Sequence, residues 1–349
     1  MLKKLLLIGG MIMASSCVKN VDNDNSVKKF TNTEINQTTS TSDYYDMIKA
    51  YWNDKRDQAT PNFDIPVIPL IDELLAPDES DILFRLGHSS ILLRIDQNLI
   101  IFDPVFSERA SPVQWMGPKR FHQPPISIEQ LPNIKAVIIS HDHYDHLDKH
   151  AILELDKKVE FFITPLKVGK HLESWGIDKS KITELNWWQS TQVDTLKITA
   201  TPAQHFSGRG LLDKDETLWA SWAIQGAESN IYFGGDSGYF GGFKEIGERL
   251  GPFDLTLIET GAYHELWPEV HMFPEQSLQA HVDLKGDVML PIHNGTFDLS
   301  LHNWNEPLQR ITELAADKEV VVLTPKFGER VNVKTPERTT FNWWLKPQS

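Results

Sequence analysis

The sequence predicts an α/β fold, and three observations carry that reading. Short apolar runs rich in Ile, Val, Leu and Phe alternate with stretches of helical spacing along most of the chain, a pattern that calls for layers of helix and sheet. One such run, residues 136–139, ends directly on Ser140-His141-Asp142-His143-Tyr144-Asp145-His146-Leu147-Asp148. Three further apolar runs end on one His or Asp, as strands do when they deliver a side chain to a sheet edge. His205 follows residues 196–202, Asp236 follows 230–235 and His293 follows 287–292.

Taken in chain order, the first segment is export machinery rather than fold. Lys3 and Lys4 precede the apolar run 5–13, and Ala14-Ser15-Ser16-Cys17 follows, so residues 1–16 read as a signal peptide of the bacterial lipoprotein kind. Cys17 is the only cysteine of 349 residues and has no internal partner, which leaves it free to be the lipidated new N-terminus. The plainer alternative is an ordinary signal peptide. Residues 17–42 are rich in Asn, Ser, Thr and Asp, too polar for a core, and are expected to form a flexible tether. No aspartate directly follows Cys17, which favours the periplasmic side of an outer membrane. Residues 43–349 then form one catalytic domain with an N-terminal helical extension. Within that extension, residues 43–57 carry Tyr45, Met47, Ile48, Tyr51 and Trp52 among charges and predict an amphipathic helix. Packing against the body is favoured over a membrane-facing or lid role.

Residues 83–85, 91–95 and 99–102 read as a three-strand meander broken at Gly87-His88 and Asp96-Gln97-Asn98. The strand 136–139 feeds the His/Asp cluster, a helix follows over 149–157, and a strand over 159–163 stops at Thr164-Pro165. Further helices fit 166–174, 243–250, 274–282 and 306–316.

Composition narrows the function. With 34 basic and 48 acidic residues the formal charge is −14, or −16 once Lys3 and Lys4 are lost with the signal, so nucleic acid is excluded as a partner. The 40 % hydrophobic fraction suffices for one core, and beyond the signal no apolar run approaches the ~20 residues of a membrane span.

The cluster carries the chemistry. Four metal-ligand side chains within six residues cannot all serve one tetrahedral ion, whereas two neighbouring ions could share them, His141 and His143 on one, Asp145 and His146 on the other. A lone histidine after a strand is usually an ordinary core or surface residue, but the cluster raises the standing of His205, Asp236 and His293. A carboxylate at 236 has two oxygens and can bridge two metals ~3.5–4 Å apart. All donors are nitrogen or oxygen, which suits two Zn2+, with iron or manganese as alternatives. No histidine is followed two places later by Lys and no Gly-x-Ser-x-Gly occurs, so a covalent-histidine phospholipase or a serine triad lacks support.

The order and spacing of these positions resemble the metallo-β-lactamase superfamily. Leu86-Gly87-His88-Ser89-Ser90, Phe102-Asp103-Pro104-Val105-Phe106, Met116-Gly117-Pro118-Lys119-Arg120-Phe121, Glu184-Leu185-Asn186-Trp187-Trp188 and Pro291-Ile292-His293-Asn294-Gly295-Thr296-Phe297 further resemble the N-acylphosphatidylethanolamine-hydrolysing phospholipase D group and its bacterial relatives, over residues 83–326. The resemblance implies an αββα sandwich with a binuclear site on loops at one edge. It places His141, His143 and His205 on one metal, Asp145, His146 and His293 on the other, and Asp236 on both. Asp145 and His271 are the implied catalytic positions, His271 as acid or substrate contact, and Asp103 either orients a metal histidine or merely caps a turn. His88 reads as fixing a strand junction and Tyr144 as lining the pocket, whereas His122, His150, His171, His264, His281 and His302 read as ordinary. Trp115, Trp187, Trp188, Trp219, Trp222 and Trp267 could line an acyl groove, though core packing is expected for most. Two departures stand out: Asn294 replaces the Trp of the mammalian enzymes, and residues 259–267 look more like the bacterial branch.

The implied function is a phosphodiesterase of the phospholipase D type, acting on N-acylphosphatidylethanolamine-like lipids or small phosphodiesters through a metal-bridging hydroxide. A lipid anchor would hold it at the membrane. Lactone or other ester hydrolysis on the same fold is the alternative. A non-catalytic envelope lipoprotein predicts eroded ligands, and all seven positions are filled.

Overall fold

The structure is a computed structural model that describes residues 29–35, 41–337 and 342–345. The signal, Cys17 and most of the expected tether lie outside these residues. Two seven-stranded sheets pack face to face. The first runs β14-β1-β2-β3-β4-β5-β6. Its antiparallel meander is β1 (Ile82–Arg85), β2 (Ile91–Ile95) and β3 (Asn98–Phe102), flanked by β14 (Arg330–Asn332). Parallel β4 (Ile134–Ile138), β5 (Val159–Pro165) and β6 (Ile182–Leu185) complete it. The second sheet runs β13-β12-β11-β10-β9-β8-β7. Antiparallel β7 (Ser190–Val193), β8 (Leu196–Thr201), β9 (Ser221–Gln225) and β10 (Asn230–Phe233) lead into parallel β11 (Phe253–Glu259), β12 (Gly286–Ile292) and β13 (Val321–Val322).

The sheets bury strands on both faces, which explains why β1, β2 and β4 read as continuous apolar runs rather than alternating ones. Their inner faces share one core that includes Leu93, Phe102, Ile138, Trp222, Phe233 and Leu257. The rings of Phe102 and Phe233 stack across it at 4.5 Å. On the outer face of the first sheet lie α3 (Lys149–Leu155) and α4 (Gly169–Ser174), through Ala151, Ile152, Leu155 and Leu172. On that of the second lie α5 (Gly242–Arg249), α6 (Pro274–Asp283) and α7 (Glu306–Asp317), through Phe243, Ile246, Leu278 and Ile311. The layers are therefore αββα, as expected.

The differences from expectation are local. Neither β6, β7, β9, β11, β13 and β14 nor the short α2 (Ile71–Leu75) stood out in the sequence. Strands buried on both faces lose the alternation that marks a half-buried one, and several here are four residues or fewer. The helix expected from 166 begins only at Gly169, because Lys167 takes φ 69° at the turn after β5.

Residues 29–35, within the expected tether, lie against the body. The Phe30 amide donates to the Asp215 carbonyl at 2.8 Å, and Asn32 exchanges hydrogen bonds with the His205 backbone at 2.9 and 3.1 Å. Polar composition removes a segment from the core without preventing it from docking by backbone hydrogen bonds. Helix α1 (Thr41–Asn53) starts inside the expected tether and packs Tyr51 on Trp267. Trp219, Trp222 and Trp267 are core residues, whereas Trp115 is exposed. Among the described residues no helix is long and apolar enough to cross a membrane.

Candidate metal centre

The expected metal-binding residues and Asp103 lie past strand ends at one edge of the sandwich, whereas His271 sits on the loop before α6. Asp103 follows β3, the cluster 141–148 follows β4, His205 follows β8, Asp236 follows β10 and His293 follows β12. Sharp backbone turns hold these ends in place. Asp103 (φ 39°) and His293 (φ 63°) adopt left-handed backbone, uncommon for residues with a Cβ. Gly235 (φ 57°) precedes Asp236, and a Cβ there would meet the Ser140 Cβ at 2.6 Å, so only glycine lets β10 approach the cluster. Behind the cluster, Asp148 caps α3 by accepting from the His150 amide and also binds the amides of Phe106 and Ser107.

The side chains converge in two groups. In the first, His143 Nδ1 lies 2.8 Å from His141 Nε2 and 3.3 Å from His205 Nε2, while Asp236 Oδ2 is 3.8 and 3.7 Å from those two Nε2 atoms. In the second, Asp145 Oδ2 lies 3.3 Å from His293 Nε2 and 3.5 Å from His146 Nε2. Asp236 stands between the groups. Its Oδ1 is 3.1 Å from His146 Nε2 and its Oδ2 3.0 Å from His293 Nε2. The ligand-capable atoms within each group lie within 4.8 Å of one another.

These donors fit a pair of cations. His146 Nε2, His293 Nε2 and Asp236 Oδ1 are buried yet lack a hydrogen bond of proper geometry, a costly condition unless something else satisfies them. Imidazole nitrogens facing each other at 2.8 Å are satisfied together by an ion that accepts a lone pair from each. The far nitrogens are already committed. His205 Nδ1 donates to the Val270 carbonyl at 3.0 Å and His146 Nδ1 to Asp103 Oδ2 at 2.7 Å, which leaves both Nε2 atoms aimed inward. Asp103 also accepts from the Ser140 amide and hydroxyl at 2.7 and 2.6 Å, so it orients His146 rather than only turning the chain.

The fields of the two groups differ. Burial, aided by neighbouring rings, drives the pKa of His141 well down; burial also lowers His205, so both are neutral. Burial opposes charge on His293 as well, but Asp236 and Asp145 outweigh it and raise its pKa to about 10. Burial would raise Asp236, yet His146 and His293 hold it well below the usual carboxylate range. A metal ligand must be neutral imidazole or carboxylate, so cation binding at the second group would displace protons.

Two residues join that the sequence reading did not place here. His88 does tie a strand junction, its carbonyl accepting from the His293 amide at 3.0 Å, but its ring also reaches Asp145 Oδ2 at 3.2 Å. Burial, with His293 beside it, lowers the His88 pKa to about 3. Glu259, at the end of β11, is fully buried and lies 2.5 Å from His271 Nδ1. The signal that picked out Asp236, an apolar run ending on a carboxylate, was present for Glu259 too. His271 is grouped with Asp236 and His293. His122 and His281 are buried and His302 half-buried in hydrogen-bonded packing, and His171 binds Asp142 at 3.1 Å. At Asn294 the side chain accepts from Arg85 at 2.7 Å and donates to Ile292 at 2.9 Å, a stitch holding the turn after His293.

A cleft opens over the two groups. His143, Asp145, Asp236, His271 and His293 lie on its lining together with the apolar Tyr51, Ala110, Pro118, Phe206 and Leu299. Tyr144, Arg209 and Lys214 border it too. Arg209 is engaged, donating to the Asp142 and Leu147 carbonyls.

Comparison with known proteins places this geometry in context. Residues 98–294 match the model of the beta-lactamase superfamily domain. An uncharacterized protein of Mycobacterium tuberculosis is 47% identical over 262 residues, covering 74% of this chain and 70% of that protein. The N-acyl-phosphatidylethanolamine-hydrolyzing phospholipase D 1 of Caenorhabditis elegans is 37% identical over 248 residues, 67% of this chain and 69% of that one. Among solved structures, Igni18, a metallo hydrolase from Ignicoccus hospitalis, superposes with a TM-score of 0.56 at 24% identity, over 72% of this chain and 97% of that one, a likeness of fold.

Proposed function

The chain belongs to the beta-lactamase superfamily, as a metal-dependent hydrolase of the metallo-β-lactamase fold, and from that premise we propose a phosphodiesterase of the phospholipase D type acting on N-acylphosphatidylethanolamine-like lipids. The observation that carries the proposal is Asp236, whose oxygens lie 3.1 and 3.0 Å from His146 and His293 of the second group while its Oδ2 is also 3.8 and 3.7 Å from His141 and His205 of the first. We assign His141, His143 and His205 to one ion, Asp145, His146 and His293 to the other, and Asp236 to both. The donor set suits zinc, with iron or manganese as alternatives. When bound, such a pair supplies a water acidified to a pKa near ~7 and neutralises the nonbridging oxygens of a phosphodiester.

The chain's own residues do the rest. Asp103 and the Val270 carbonyl keep His146 and His205 in one tautomer. Glu259 holds His271 by Nδ1, leaving Nε2 to give a proton to the departing alkoxide. Asp145 holds His88 and His293 on one side of the cleft. The apolar wall formed by Tyr51, Phe206 and Leu299 supports a substrate with acyl chains. Lipidation of Cys17, with the body on the periplasmic side of an outer membrane, would keep the enzyme beside such substrates.

Incubation with N-acylphosphatidylethanolamine, bis-(4-nitrophenyl) phosphate and a panel of lactones tests the reading. Release of phosphatidic acid is expected, and turnover of lactones alone would end the phosphodiesterase assignment. Metal analysis should find close to two equivalents, and Asp236→Asn should abolish hydrolysis while the circular dichroism spectrum stays unchanged. Cys17→Ser should abolish incorporation of a labelled fatty acid into the protein.

A further inference from the structure

Among the described residues, six of the twelve exposed large apolar side chains lie on segments that border the cleft. The chain from Gly208 to Lys214 lines it, and between these residues Leu211 and Leu212 are 61% and 80% exposed. Asp213 accepts from the amides of Arg209 and Gly210, a turn that presents the two leucines outward. Ala110 and Pro118 line the cleft as the paired bases of a hairpin, and Trp115 near its tip is 76% exposed. Tyr51 of α1 lines it as well, while Tyr45, Ile48 and Trp52, at i,i+3 and i,i+4 spacing in a stripe beside it on that helix, are exposed.

We infer that this rim is a docking surface for a lipid bilayer, which would bring the cleft mouth to the membrane interface. The inference deepens the lipid-hydrolase reading and rests on it for the purpose of docking. Two observations favour a bilayer over a protein partner. Leucines at a loop tip with a lysine beside them, joined by exposed Trp and Tyr, match the preferences of the interfacial layer, where apolar groups enter and aromatic and cationic ones stay at headgroup level. The chain also enters the described structure at the base of the leucine loop, where the Phe30 amide binds the Asp215 carbonyl. The apolar run 5–13 and Cys17 lie just upstream, and the dozen residues from Cys17 to Lys29 can span at most roughly 40 Å. A lipid on Cys17 would therefore hold the rim within that reach of a membrane. A net charge of −14 opposes a strongly anionic surface, so the partner is zwitterionic lipid.

The unique cysteine makes the test clean. In the full chain carrying Cys17→Ser, Leu212→Cys and, separately, Val282→Cys each accept one environment-sensitive fluorophore. Val282 is equally suited to labelling at 51% exposure but ends α6 beside the start of β12, the far end of the strand that delivers His293. With phosphatidylcholine vesicles the label at 212 should shift to the blue and brighten several-fold, and the label at 282 should not. A label at 212 that stays in water while the protein sediments with vesicles overturns the inference, as does a protein that neither sediments nor shifts. A shift that needs no vesicles and grows with protein concentration assigns the rim to a second copy and also overturns it. Hydrolysis is not part of the readout, so docking to vesicles that carry N-acylphosphatidylethanolamine without cleaving it would defeat the proposed substrate and leave the docking surface standing.

Discussion

Asp103 shows how one side chain outside the ligand set can govern it. Buried completely between β3 and the cluster, it fixes Ser140 through two hydrogen bonds and His146 through a third. Asp103→Ala frees the His146 ring to rotate and strips a partner from its Nδ1. Metal affinity at the second group should fall by about 10- to 100-fold, read by competition with a chromogenic chelator, whereas an unchanged affinity would reduce Asp103 to a turn residue. Asn294 acts by the same logic on the backbone: both ends of its amide are spent on the strained turn that aims His293. Tryptophan offers no side-chain acceptor, so Asn294→Trp would lose the bond from Arg85 to the side chain and keep the one to the backbone carbonyl.

Between elements, the contact of the two sheets is set by large interleaved rings. Phe102→Ala would remove the ring that stacks on Phe233 at 4.5 Å and should cost about 3–5 kcal/mol of unfolding free energy, measured by urea titration. A second prediction concerns α6 against β11, where His281 shares a hydrogen bond of 2.8 Å with Thr256. Burial, partly offset by Asp287, lowers its pKa to about 4. Because the folded value is depressed below the ordinary ~6.5, the unfolded chain binds the extra proton first as pH falls. His281 therefore contributes stability fully above pH ~6.5 and loses it on the way down to about 4, roughly 3 kcal/mol over that window. His281→Gln should flatten the drop in urea midpoint between pH 6.5 and 4 relative to the parent, and an unaltered slope would refute the assignment.

For the molecule as a whole, the centre links strand ends from both sheets, so metal binding is expected to be folding energy as well as chemistry. Ions at a thousandfold excess over their dissociation constant add about 4 kcal/mol to a protein that binds them only when folded. Exhaustive chelation should lower the melting temperature by several degrees in calorimetry, and zinc should restore it. If chelated and metal-loaded protein melt together, the seven side chains hold nothing of consequence. The parallel β11 and β12 bring Glu259 and His293 to adjacent ends, which is why Glu259, through His271, and His293 serve one cleft without a connecting motif in the sequence.

The sequence by itself determined what is local: the interleaving of strands and helices, and the placing of His205, Asp236 and His293 one step past a strand, since a strand's end and its exit turn lie within a few residues of each other. It also determined the donor chemistry, because the lone Cys17 lies far from every one of these positions. Only the tertiary structure decided that His88 and Glu259 join the two groups and that residues 29–35 dock beside His205. Those facts depend on sheet order and on contacts between residues tens to hundreds of positions apart. Packing across two sheets sets such distances, and no periodicity along the chain encodes them.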